Sequence, residues 1–451
     1  MKKINRREFL NKGTRAAIGI SAFGMLANTS YASEGTAKKL KIALIGTGSR
    51  GSGTWGKDLV GQYKDYVEFV ALCDINPKRV EFAKKYMGVN APTYLAKDFD
   101  QMIQQTNPDV VIVTTVDSFH VKYATRAMEL GCDVICEKPL AINAEQCQKL
   151  LDVESKTGKK IITTFNARHG LPSERIKKVI MSGDLGKIIS AEFQEYLNID
   201  HGASYFRRWH GKSKFSGTLL CHKASHHFDQ MNWWLDAEPV EVNAFGKVAY
   251  YGKNNSFRSK NCRECLFSNK CKFYWDITKD KFQTDLYVNC ESEDGYLRDG
   301  CVWDNDIDTY DTMTVEVKYN NGVLMSYSLN AFLPYEGQQI AFNGQNGRLD
   351  VRLYNQQPWK VEHSSDFRLS KNFEETKIWH EKEGTGGHGG ADESLKDLIF
   401  LPGQDDPLEK MAGSRAGVMA SLIGIAARQS IETGQRMKIA DLIDFPVDRR
   451  L

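Results

Sequence analysis

Short apolar runs alternate with longer, mixed stretches between residues 39 and 165, and this alternation limits the possible folds more than any other feature of the chain. The runs are KIALIG, VEFVALCD, DVVIVTT, CDVICEKP and KIITTF. Strands that are apolar along their whole length are typical of a parallel sheet covered on both faces. Their separation by segments of helical length predicts βαβ units. We therefore expect an α/β domain over residues 39–165.

A glycine-rich turn directly follows the first of these runs. In GTGSRG, Gly46, Gly48 and Gly51 match G-x-G-x-x-G, the fingerprint of a Rossmann dinucleotide-binding domain. The first glycine permits a tight turn, the second lets the backbone approach a pyrophosphate, and the third lets helix and strand pack closely. The intervening Ser49 and Arg50 are assigned to the same predicted cofactor site.

An acidic residue, Asp74, closes the second apolar run. A carboxylate at this position accepts hydrogen bonds from a ribose 2′-hydroxyl and repels a 2′-phosphate. NAD is therefore favoured over NADP, although Lys78 and Arg79 lie close enough to keep NADP as the alternative. A glycine-rich turn beside a surface aspartate, without a cofactor, is the remaining interpretation.

Beyond residue 165 the apolar residues follow a different period. In DTMTVEVKYNNGVLMSYSL, apolar and polar residues alternate on both sides of an Asn-Gly pair, which predicts an antiparallel hairpin with one buried face. The stretch GQQIAFNGQNGRLDVRLY predicts another. We expect residues 166–451 to form an α+β domain whose mostly antiparallel, open sheet is flanked by helices, one of them near residues 414–433.

The first 32 residues differ in kind from the rest. MKKINRREFLNKGTRAAIGISAFGMLANTSYA has a basic start with Arg6 and Arg7, a short apolar stretch and a final small residue, as in a secretory signal. It resembles a twin-arginine export signal, and an amphipathic helix is the alternative. The resemblance implies a protein that is exported after folding, to the periplasm or beyond.

Charge and hydropathy argue against nucleic-acid binding and against a membrane-spanning helix. The formal net charge is +3 at pH 7, and without residues 1–32, which hold six Lys/Arg and one Glu, it becomes −2. The remaining chain therefore gives no reason to expect a nucleic-acid partner. No apolar run reaches the roughly 18 residues that a membrane helix needs, so we expect no membrane span.

Several motifs further along the chain resemble one family of oxidoreductases. They are TTVDSFH, CDVICEKPLA, FNARHG and SGTLLCHKASHHFDQMNWW. Through them, residues 40–435 resemble the glucose-fructose oxidoreductase and inositol dehydrogenase family, also called Gfo/Idh/MocA. The resemblance implies NAD(P)-dependent chemistry at a hydroxyl of a sugar, glycoside or cyclitol. It also implies cofactor contacts from Thr115, Asp117, His120, Glu137 and Lys138.

The Glu-Lys-Pro step around Lys138 is the most specific of these motifs. A residue before proline is pushed towards extended geometry. Lys138 is thus presented at the carboxyl end of a strand, where ligands bind in open α/β sheets. A solvated surface lysine is the alternative. The resemblance implies that Lys138 hydrogen-bonds the reacting hydroxyl and that His226 is the catalytic acid/base.

A histidine-rich stretch, CHKASHHFD, has three possible interpretations. On a helix, His222, His226 and Asp229 share one face while His227 turns away, so the stretch could hold a metal ion. The zincin pattern, however, requires Glu after the first His, where this chain has Lys223. Acid/base or substrate contact is favoured, and a structural helix is the third possibility. Family members commonly have Asp at the position of His222, a change that could lower neighbouring pKa values and alter substrate choice.

The predicted substrate contacts come from separate segments. The family motif supplies Asn166 and Arg168, and His222 belongs to the histidine-rich stretch. Trp209 ends YFRRW, which combines cationic and aromatic side chains suited to sugar rings. His388 lies in GTGGHGG; a similar run occurs in related NAD-using glycosidases. Ordinary surface is the alternative for the YFRRW segment, and a flexible connector is the alternative for the glycine-rich loop.

Five cysteines cluster in an insertion at about residues 251–305. Cys262 and Cys265 have the C-x2-C spacing of metal ligands, and Cys271 and Cys301 could complete a structural zinc or iron–sulfur site. Cys290 is the fifth member of the cluster. Export would also permit disulfides, and free thiols are a third possibility. Transport in the folded state favours the metal.

Three functions fit this sequence. The leading prediction is an exported NAD-dependent oxidoreductase that acts on a small-molecule carbohydrate. The second is a glycoside hydrolase or lyase of the same fold that resembles the α-N-acetylgalactosaminidases, which oxidise, eliminate and then restore the cofactor. The third is a sugar-binding protein with a vestigial cofactor site. The family resemblance also implies a homo-oligomer formed through the sheet of the C-terminal domain.

Overall fold

A computed structural model of the chain describes residues 38–381 and 384–444. The predicted signal segment, residues 1–32, lies outside them. Within the described residues, no helix is both long and apolar enough to cross a membrane.

The first sheet consists of parallel strands, as the buried apolar runs predict. Its strands are β1 (Leu40–Ile45), β2 (Val67–Asp74), β3 (Thr93–Leu95), β4 (Val110–Val113), β5 (Asp133–Cys136) and β6 (Ile161–Thr163). They pair in the order β3-β2-β1-β4-β5-β6. This is the order of a Rossmann domain, in which ligands bind at the carboxyl ends of the strands where the order reverses, between β1 and β4.

Both faces of this sheet are buried because successive side chains of a strand point to opposite sides. Ala43 and Ile45 of β1 face one apolar core, whereas Ile42 and Leu44 face the other. The helices that follow the strands cover these faces. They are α1 (Ser49–Ser52), α2 (Asp58–Gln62), α3 (Pro77–Met87), α4 (Phe99–Thr106), α5 (His120–Glu129) and α6 (Ala144–Thr157), with a π-helical turn at Gly53–Lys57.

The second sheet is mostly antiparallel, which confirms the predicted fold class. Its strands are β7 (Ile188–Asn198), β8 (Pro239–Lys247), β9 (Thr312–Tyr319), β10 (Leu324–Leu333), β11 (Glu336–Gly344), β12 (Gly347–Gln356), β13 (Ser365–Lys371), β14 (Lys377–Trp379) and β15 (Met437–Lys438). The order is β14-β13-β12-β11-β7-β10-β9-β8-β15. Among the described strands, only β7 and β10 pair in parallel in this sheet.

The two hairpins expected from the alternating pattern are both present. β9 and β10 pair around Gly322, whose φ of +87° suits the tight turn. Along β9 the apolar side chains are buried and the polar ones are exposed. The second hairpin joins β11 to β12 through residues 345–346.

The helices beyond residue 165 pack against this sheet, against one another or against the first domain. They are α7 (Leu171–Met181), α8 (Ile199–Phe206), α9 (Ser213–Ser216), α10 (Leu219–His222), α11 (Ala224–Leu235), α12 (Lys281–Leu286), α13 (Glu291–Asp294), α14 (Ala391–Phe400) and α15 (Ser414–Thr433). The long, mostly buried α15 packs against β8, α10 and α11. It comes so close to α10 that a Cβ on Gly424 would lie 2.4 Å from the carbonyl oxygen of Leu220.

The cysteine-rich insertion leaves the second sheet after β8 and returns to it at β9. It contains α12, α13 and several short 3-10 turns, and it contributes no strand to either described sheet. Phe282 of α12 packs against Phe82 and Tyr86 of α3. The insertion therefore reaches back from the second domain to the first, on the side of α3 and β2.

Candidate active site

The glycine-rich turn lies between β1 and α1 at the carboxyl edge of the first sheet. Gly46 has a φ of +92°, and a Cβ there would lie 2.6 Å from the carbonyl carbon of Thr114. A Cβ on Gly51 would lie 2.0 Å from the carbonyl oxygen of Gly46. Both positions therefore require glycine. The nearest atom to a Cβ on Gly48 is the Tyr287 hydroxyl oxygen at 3.4 Å, so this side of the turn is more open.

Asp74 closes β2 beside this turn and holds it in place. Its Oδ2 atom accepts hydrogen bonds from the amide and hydroxyl of Thr47, at 2.7 and 2.9 Å. Its Oδ1 atom accepts from the Asn76 amide at 3.0 Å and from Arg79 at 3.2 Å. A glycine cradle with a carboxylate at the end of the next strand fits the pyrophosphate and ribose of a dinucleotide.

Arg50 joins the two domains through carboxylates on both sides. Its Nε atom donates to Glu137 at 2.7 Å, and its terminal nitrogens donate to Asp392 at 2.9 and 2.8 Å. Trp55 also donates to Glu137, at 2.7 Å. Burial favours the protonated carboxyl, but Arg50 and Trp55 outweigh it and lower the pKa of Glu137. Arg50 and Glu137 thus form an ion pair directly beside Lys138.

Asp117 and His222 form a buried pair that connects the domains. Asp117 follows β4, and its Oδ2 atom lies 2.6 Å from Nδ1 of His222 at the end of α10. Burial, with Lys138 as the next cause, lowers the pKa of His222 well below its usual range. His222 was expected to contact substrate, and the structure directs its Nδ1 atom to Asp117.

Lys138 follows β5, and its side chain points towards the second domain. Its Nζ atom donates to the carbonyl oxygen of His222 at 3.0 Å. Burial lowers the pKa of Lys138 to about 8, against the opposing effect of Asp117 and Glu137. The amine thus titrates near the pH at which enzymes work.

His226 lies in the first turn of α11, within the electrostatic influence of Lys138. Its Nδ1 atom is buried and has no hydrogen-bond partner among the described residues. Burial, followed by Lys138 and Lys223, lowers the pKa of His226 well below its usual range. The unpaired buried nitrogen is therefore a hydrogen-bonding group that the protein leaves unsatisfied.

Asp392, at the start of α14, forms hydrogen bonds with two further predicted residues, Asn166 and His388. Asn166 donates to it at 2.8 Å, and Nδ1 of His388 lies 2.7 Å from it. Burial raises the pKa of Asp392, but His388 and Arg50 outweigh this and hold it below its usual range. The side chain of His388 is 66% exposed, so its ring lies at the open mouth of the site. Asp392 was not predicted as a site residue, although the glycine-rich loop before it was a signal.

Two predicted residues, His120 and Arg168, are bound to the protein framework. The ring of His120 is buried between the carbonyl oxygens of Pro139 and Thr115, at 2.8 and 3.0 Å. Arg168 forms a buried bidentate ion pair with Asp229, at 2.7 and 2.6 Å, and donates to the carbonyl of Glu409. All the guanidinium nitrogens of Arg168 are therefore engaged by protein, which differs from the expected substrate contact.

The aromatic residues near His222 form a compact cluster. Trp209 stacks on His210 with a centroid distance of 3.6 Å and meets His222 edge-on at 5.6 Å. Tyr205 meets both His210 and His222 edge-on. Tyr205 belongs to the YFRRW segment that the sequence singled out. His210 was not singled out, because nothing in the local pattern shows that it faces the same site.

His227 occupies the core instead of the site. Its Nδ1 atom lies 2.9 Å from the hydroxyl of Tyr327, and its ring stacks on Phe193. Its Nε2 atom lies 3.4 Å from Glu195. This placement agrees with a structural role.

The cysteines of the insertion do not form the predicted metal site. All ten cysteines are free thiols, and no group of three or more His, Cys, Asp or Glu in the described residues is arranged to hold a metal ion. Cys262, Cys265, Cys271 and Cys301 do line one small cavity. The guanidinium of Arg207, however, donates to Cys262 Sγ at 3.0 Å. In the described residues these cysteines thus form neither a metal-ligand set nor disulfides, and the metal site stays a prediction.

Comparisons with known proteins agree on the architecture. Residues 40–165 match the family described as "Oxidoreductase family, NAD-binding Rossmann fold", and residues 177–439 match "Oxidoreductase family, C-terminal alpha/beta domain". The protein YteT of Bacillus subtilis is 32% identical over 90% of this chain and 99% of its own length. Inositol 2-dehydrogenase of Salmonella typhimurium is 28% identical over 46% of this chain and 57% of its own length.

Solved structures share the same fold. The aldose-aldose oxidoreductase from Caulobacter crescentus, complexed with glycerol, matches with a TM-score of 0.60 and 15% identity, over 89% of this chain and 100% of its own. The WlbA dehydrogenase from Bordetella pertussis, in complex with NADH and UDP-GlcNAcA, gives a TM-score of 0.61 and 17% identity, over 89% of this chain and 99% of its own. At these identities the likeness concerns the fold alone.

Proposed function

Because the chain belongs to the Gfo/Idh/MocA oxidoreductase family, we propose that it is an NAD-dependent oxidoreductase that oxidises a hydroxyl of a sugar, glycoside or cyclitol. The observation that carries this proposal is that Lys138, at the carboxyl edge of the first sheet, lies close enough to His226 of α11 for its charge to act on the imidazole. One is a buried amine whose pKa is lowered to about 8, and the other is a neutral imidazole with an unpaired nitrogen.

The two side chains divide the work of proton removal. The Lys138 ammonium donates a hydrogen bond to the substrate hydroxyl oxygen and stabilises the negative charge that develops there. His226 accepts the hydroxyl proton through its free Nδ1 atom, directly or by way of Lys138. NAD, when bound, accepts the hydride from the same carbon. The substrate thus loses one hydride and one proton.

The residues around the cradle favour NAD over NADP. Asp74 would meet the ribose hydroxyls and repel a 2′-phosphate. Arg79, the cation that could attract such a phosphate, is already bound to Asp74 and to Asp294, at 3.2 and 2.8 Å. An engaged guanidinium has less to offer to a phosphate, so the predicted preference for NAD is supported.

Substrate recognition is assigned to side chains that surround the Lys138–His226 pair. Trp209 offers an aromatic face beside His222, and the exposed ring of His388 stands at the mouth. Asn166 is held against Asp392 on the same side. We infer that His222, where relatives commonly carry Asp, removes a negative charge from the substrate side and thereby alters which hydroxyl is accepted.

One experiment tests the proposed function against the glycosidase alternative, which the Gly-His-Gly-Gly run around His388 suggests by resemblance. The isolated protein is incubated with NAD and a panel of nitrophenyl glycosides, free sugars and cyclitols. Absorbance of reduced nicotinamide and of released nitrophenol are followed together. Net reduction without release supports the dehydrogenase, and release without net reduction supports the glycosidase. Binding without either signal would contradict both in favour of a sugar-binding protein.

We further propose export by the twin-arginine pathway, supported by Arg6-Arg7 in the basic start of the chain. In an Arg6→Lys/Arg7→Lys variant the protein should accumulate in the cytoplasm, while the unchanged chain is recovered from the periplasm. Cell fractionation with immunoblotting measures this. Equal export of both chains would overturn the proposal.

A homo-oligomer is also proposed, formed through the open face of the second sheet. Thr314, Glu316 and Lys318 of β9 are exposed on that face. Light scattering after size exclusion gives the mass of the native protein. We expect more than one chain, and we expect Thr314→Arg to lower the mass because it places a bulky cation on this face.

A further inference from the structure

Residues 276–299 of the insertion lie across the predicted cofactor site, and we refer to them as the clamp segment. They include α12, α13 and the turn between them. The clamp segment belongs to the second domain by sequence, yet it contacts the glycine-rich turn, the end of β2 and the outer side of α3. Each of these contacts lies on the first domain.

The first contact is at the glycine-rich turn itself. The hydroxyl oxygen of Tyr287 accepts a hydrogen bond from the Ser49 amide at 3.0 Å and lies 2.9 Å from the Ser49 hydroxyl. The same oxygen is the nearest atom to a Cβ on Gly48, at 3.4 Å. Tyr287 therefore takes the backbone donor that a cofactor phosphate would need at this turn.

The second contact is at the ribose side, just beyond Asp74. Arg79 is bound to Asp294 at 2.8 Å, with both side chains about nine-tenths buried. The buried side-chain amide of Asn76 donates to the carbonyl oxygen of Cys290 at 2.9 Å. Lys78 lies 2.9 Å from Glu293. These contacts hold the segment against the loop that follows β2.

The third contact is apolar and lies away from the cradle. Phe282 packs against Phe82 and Tyr86 of α3, with centroid distances of 5.9 and 5.0 Å. This contact anchors the segment without taking any group that a dinucleotide would use. It therefore offers a way to loosen the segment and leave the cradle unchanged.

From these contacts we propose that the clamp segment is the outer wall of the cofactor site and controls exchange of NAD. The inference rests on the proposed use of NAD. For a phosphate to reach the Ser49 amide, Tyr287 must give up its hydrogen bond, so the tyrosine acts as a latch on entry. The contacts of Phe282 and Asp294 do not involve this donor and persist when the cofactor is in place. They oppose both entry and release.

The proposal separates the effects of two variants. Tyr287→Phe removes the competing hydroxyl, so NADH association should quicken by about threefold to tenfold, the effect of one hydrogen bond, with little change in dissociation. Phe282→Ala loosens the anchor, so association and dissociation should both quicken, by about tenfold. Tyr274→Phe, in the same insertion but beside the cysteine cavity, is the matched control and should leave both rates unchanged.

Stopped-flow measurement of energy transfer from tryptophan to NADH gives both rates without substrate. Association is followed on mixing, and dissociation is followed by chasing bound NADH with excess NAD. Unchanged rates in both Tyr287→Phe and Phe282→Ala would overturn the clamp. If the unaltered protein, freed of any nucleotide that it carries, binds neither NADH nor NAD, the proposed function fails instead, so the two failures are distinct. Circular dichroism confirms that each variant is folded.

Discussion

His226 is the residue on which proton removal depends. His226→Gln keeps a polar side chain of similar length but removes the basic nitrogen, so the turnover rate should fall by about 10²- to 10⁴-fold. Binding of NADH should be retained, because His226 lies on α11 and not at the cradle. The exposed His363→Gln is the matched control and should keep full activity. An active His226→Gln enzyme would contradict the assignment. Initial rates with the identified substrate and NADH titrations measure both effects.

Lys138 predicts the pH dependence of the reaction. Burial lowers its pKa to about 8, so the ammonium is present below that pH and is lost as the pH rises through it. The ammonium donates to the substrate oxygen, so kcat/KM for oxidation should fall above a pH of about 8. In Lys138→Arg the cation persists, and the falling limb should move to higher pH even if the rate is low. A limb that stays in place would assign it to another group.

Arg168 and Asp229 should contribute to stability instead of substrate binding. The carboxylate is fully buried and bound by two guanidinium nitrogens. Asp229→Ala leaves a buried cation without a partner, which should lower the free energy of unfolding by about 3–5 kcal/mol. The double variant Arg168→Met/Asp229→Leu should recover most of this loss, because no buried charge remains. Urea unfolding measures both variants. A large rise in KM in the stable double variant would instead support substrate contact.

Single residues were predictable where their role depends on neighbours in sequence. Gly46 and Gly51 follow from the tight turn after a strand, and Asp74 follows from its place at the end of the next one. Arg168 was predicted to contact substrate from its motif. Its ion pair with Asp229 was missed because the two residues lie 61 positions apart. A local pattern does not show which buried carboxylate will meet a given guanidinium.

At the scale of elements, the contact between α15 and α10 sets the position of His222. A Cβ on Gly424 would lie 2.4 Å from the backbone oxygen of Leu220, which a rotamer change does not relieve. Gly424→Ala should therefore displace α10, lower the free energy of unfolding by about 1–3 kcal/mol, and reduce kcat. Gly61→Ala, on α2 with open space around it, should instead stabilise by about 0.5–1 kcal/mol. Thermal unfolding and kcat test the pair, and equal behaviour would contradict the close contact.

The elements themselves were predicted with different success. The parallel strands, the two hairpins and the helix of residues 414–433 follow from apolar periods that are complete within each segment. The stretch from His222 to Asp229 was expected to be one helix, and it is two, α10 and α11, which meet at Lys223. Lys223 reaches Glu195 and His222 reaches Asp117. Such distant contacts are not visible in a helical period.

At the scale of the whole molecule, the contacts of the insertion with the first domain could not be predicted from the sequence. Its cysteine spacing suggested a metal site, whereas its contacts point to the cofactor cradle. Tyr287 and Ser49 are 238 positions apart in the chain. Only the packing of the second domain against the first brings them together, so the sequence around one residue does not predict contact with the other. The notable feature of this segment is therefore its position, which no motif encodes.

A clamp over the cofactor site has a consequence for the overall reaction. If NAD leaves slowly compared with turnover, the hydride taken from one hydroxyl has to be returned within the same site. The acceptor would be a carbonyl group, which gains one hydride and one proton and becomes a hydroxyl. We therefore expect desalted protein to retain NAD and to oxidise a near-equimolar amount of carbohydrate without an acceptor. Addition of a free aldose should then sustain many turnovers.

Product analysis by chromatography measures this expectation, with oxidised and reduced carbohydrate formed in equal amounts. The Phe282→Ala variant is the informative comparison, because it should lose NAD during desalting and regain activity when NAD is added. No residue of the proposed active site is changed in that variant. The ring contacts of Phe282 are with Phe82 and Tyr86, on the outer side of α3. Turnover of the unaltered protein that rises in proportion to added NAD, with or without aldose, would show free exchange and contradict a resident cofactor.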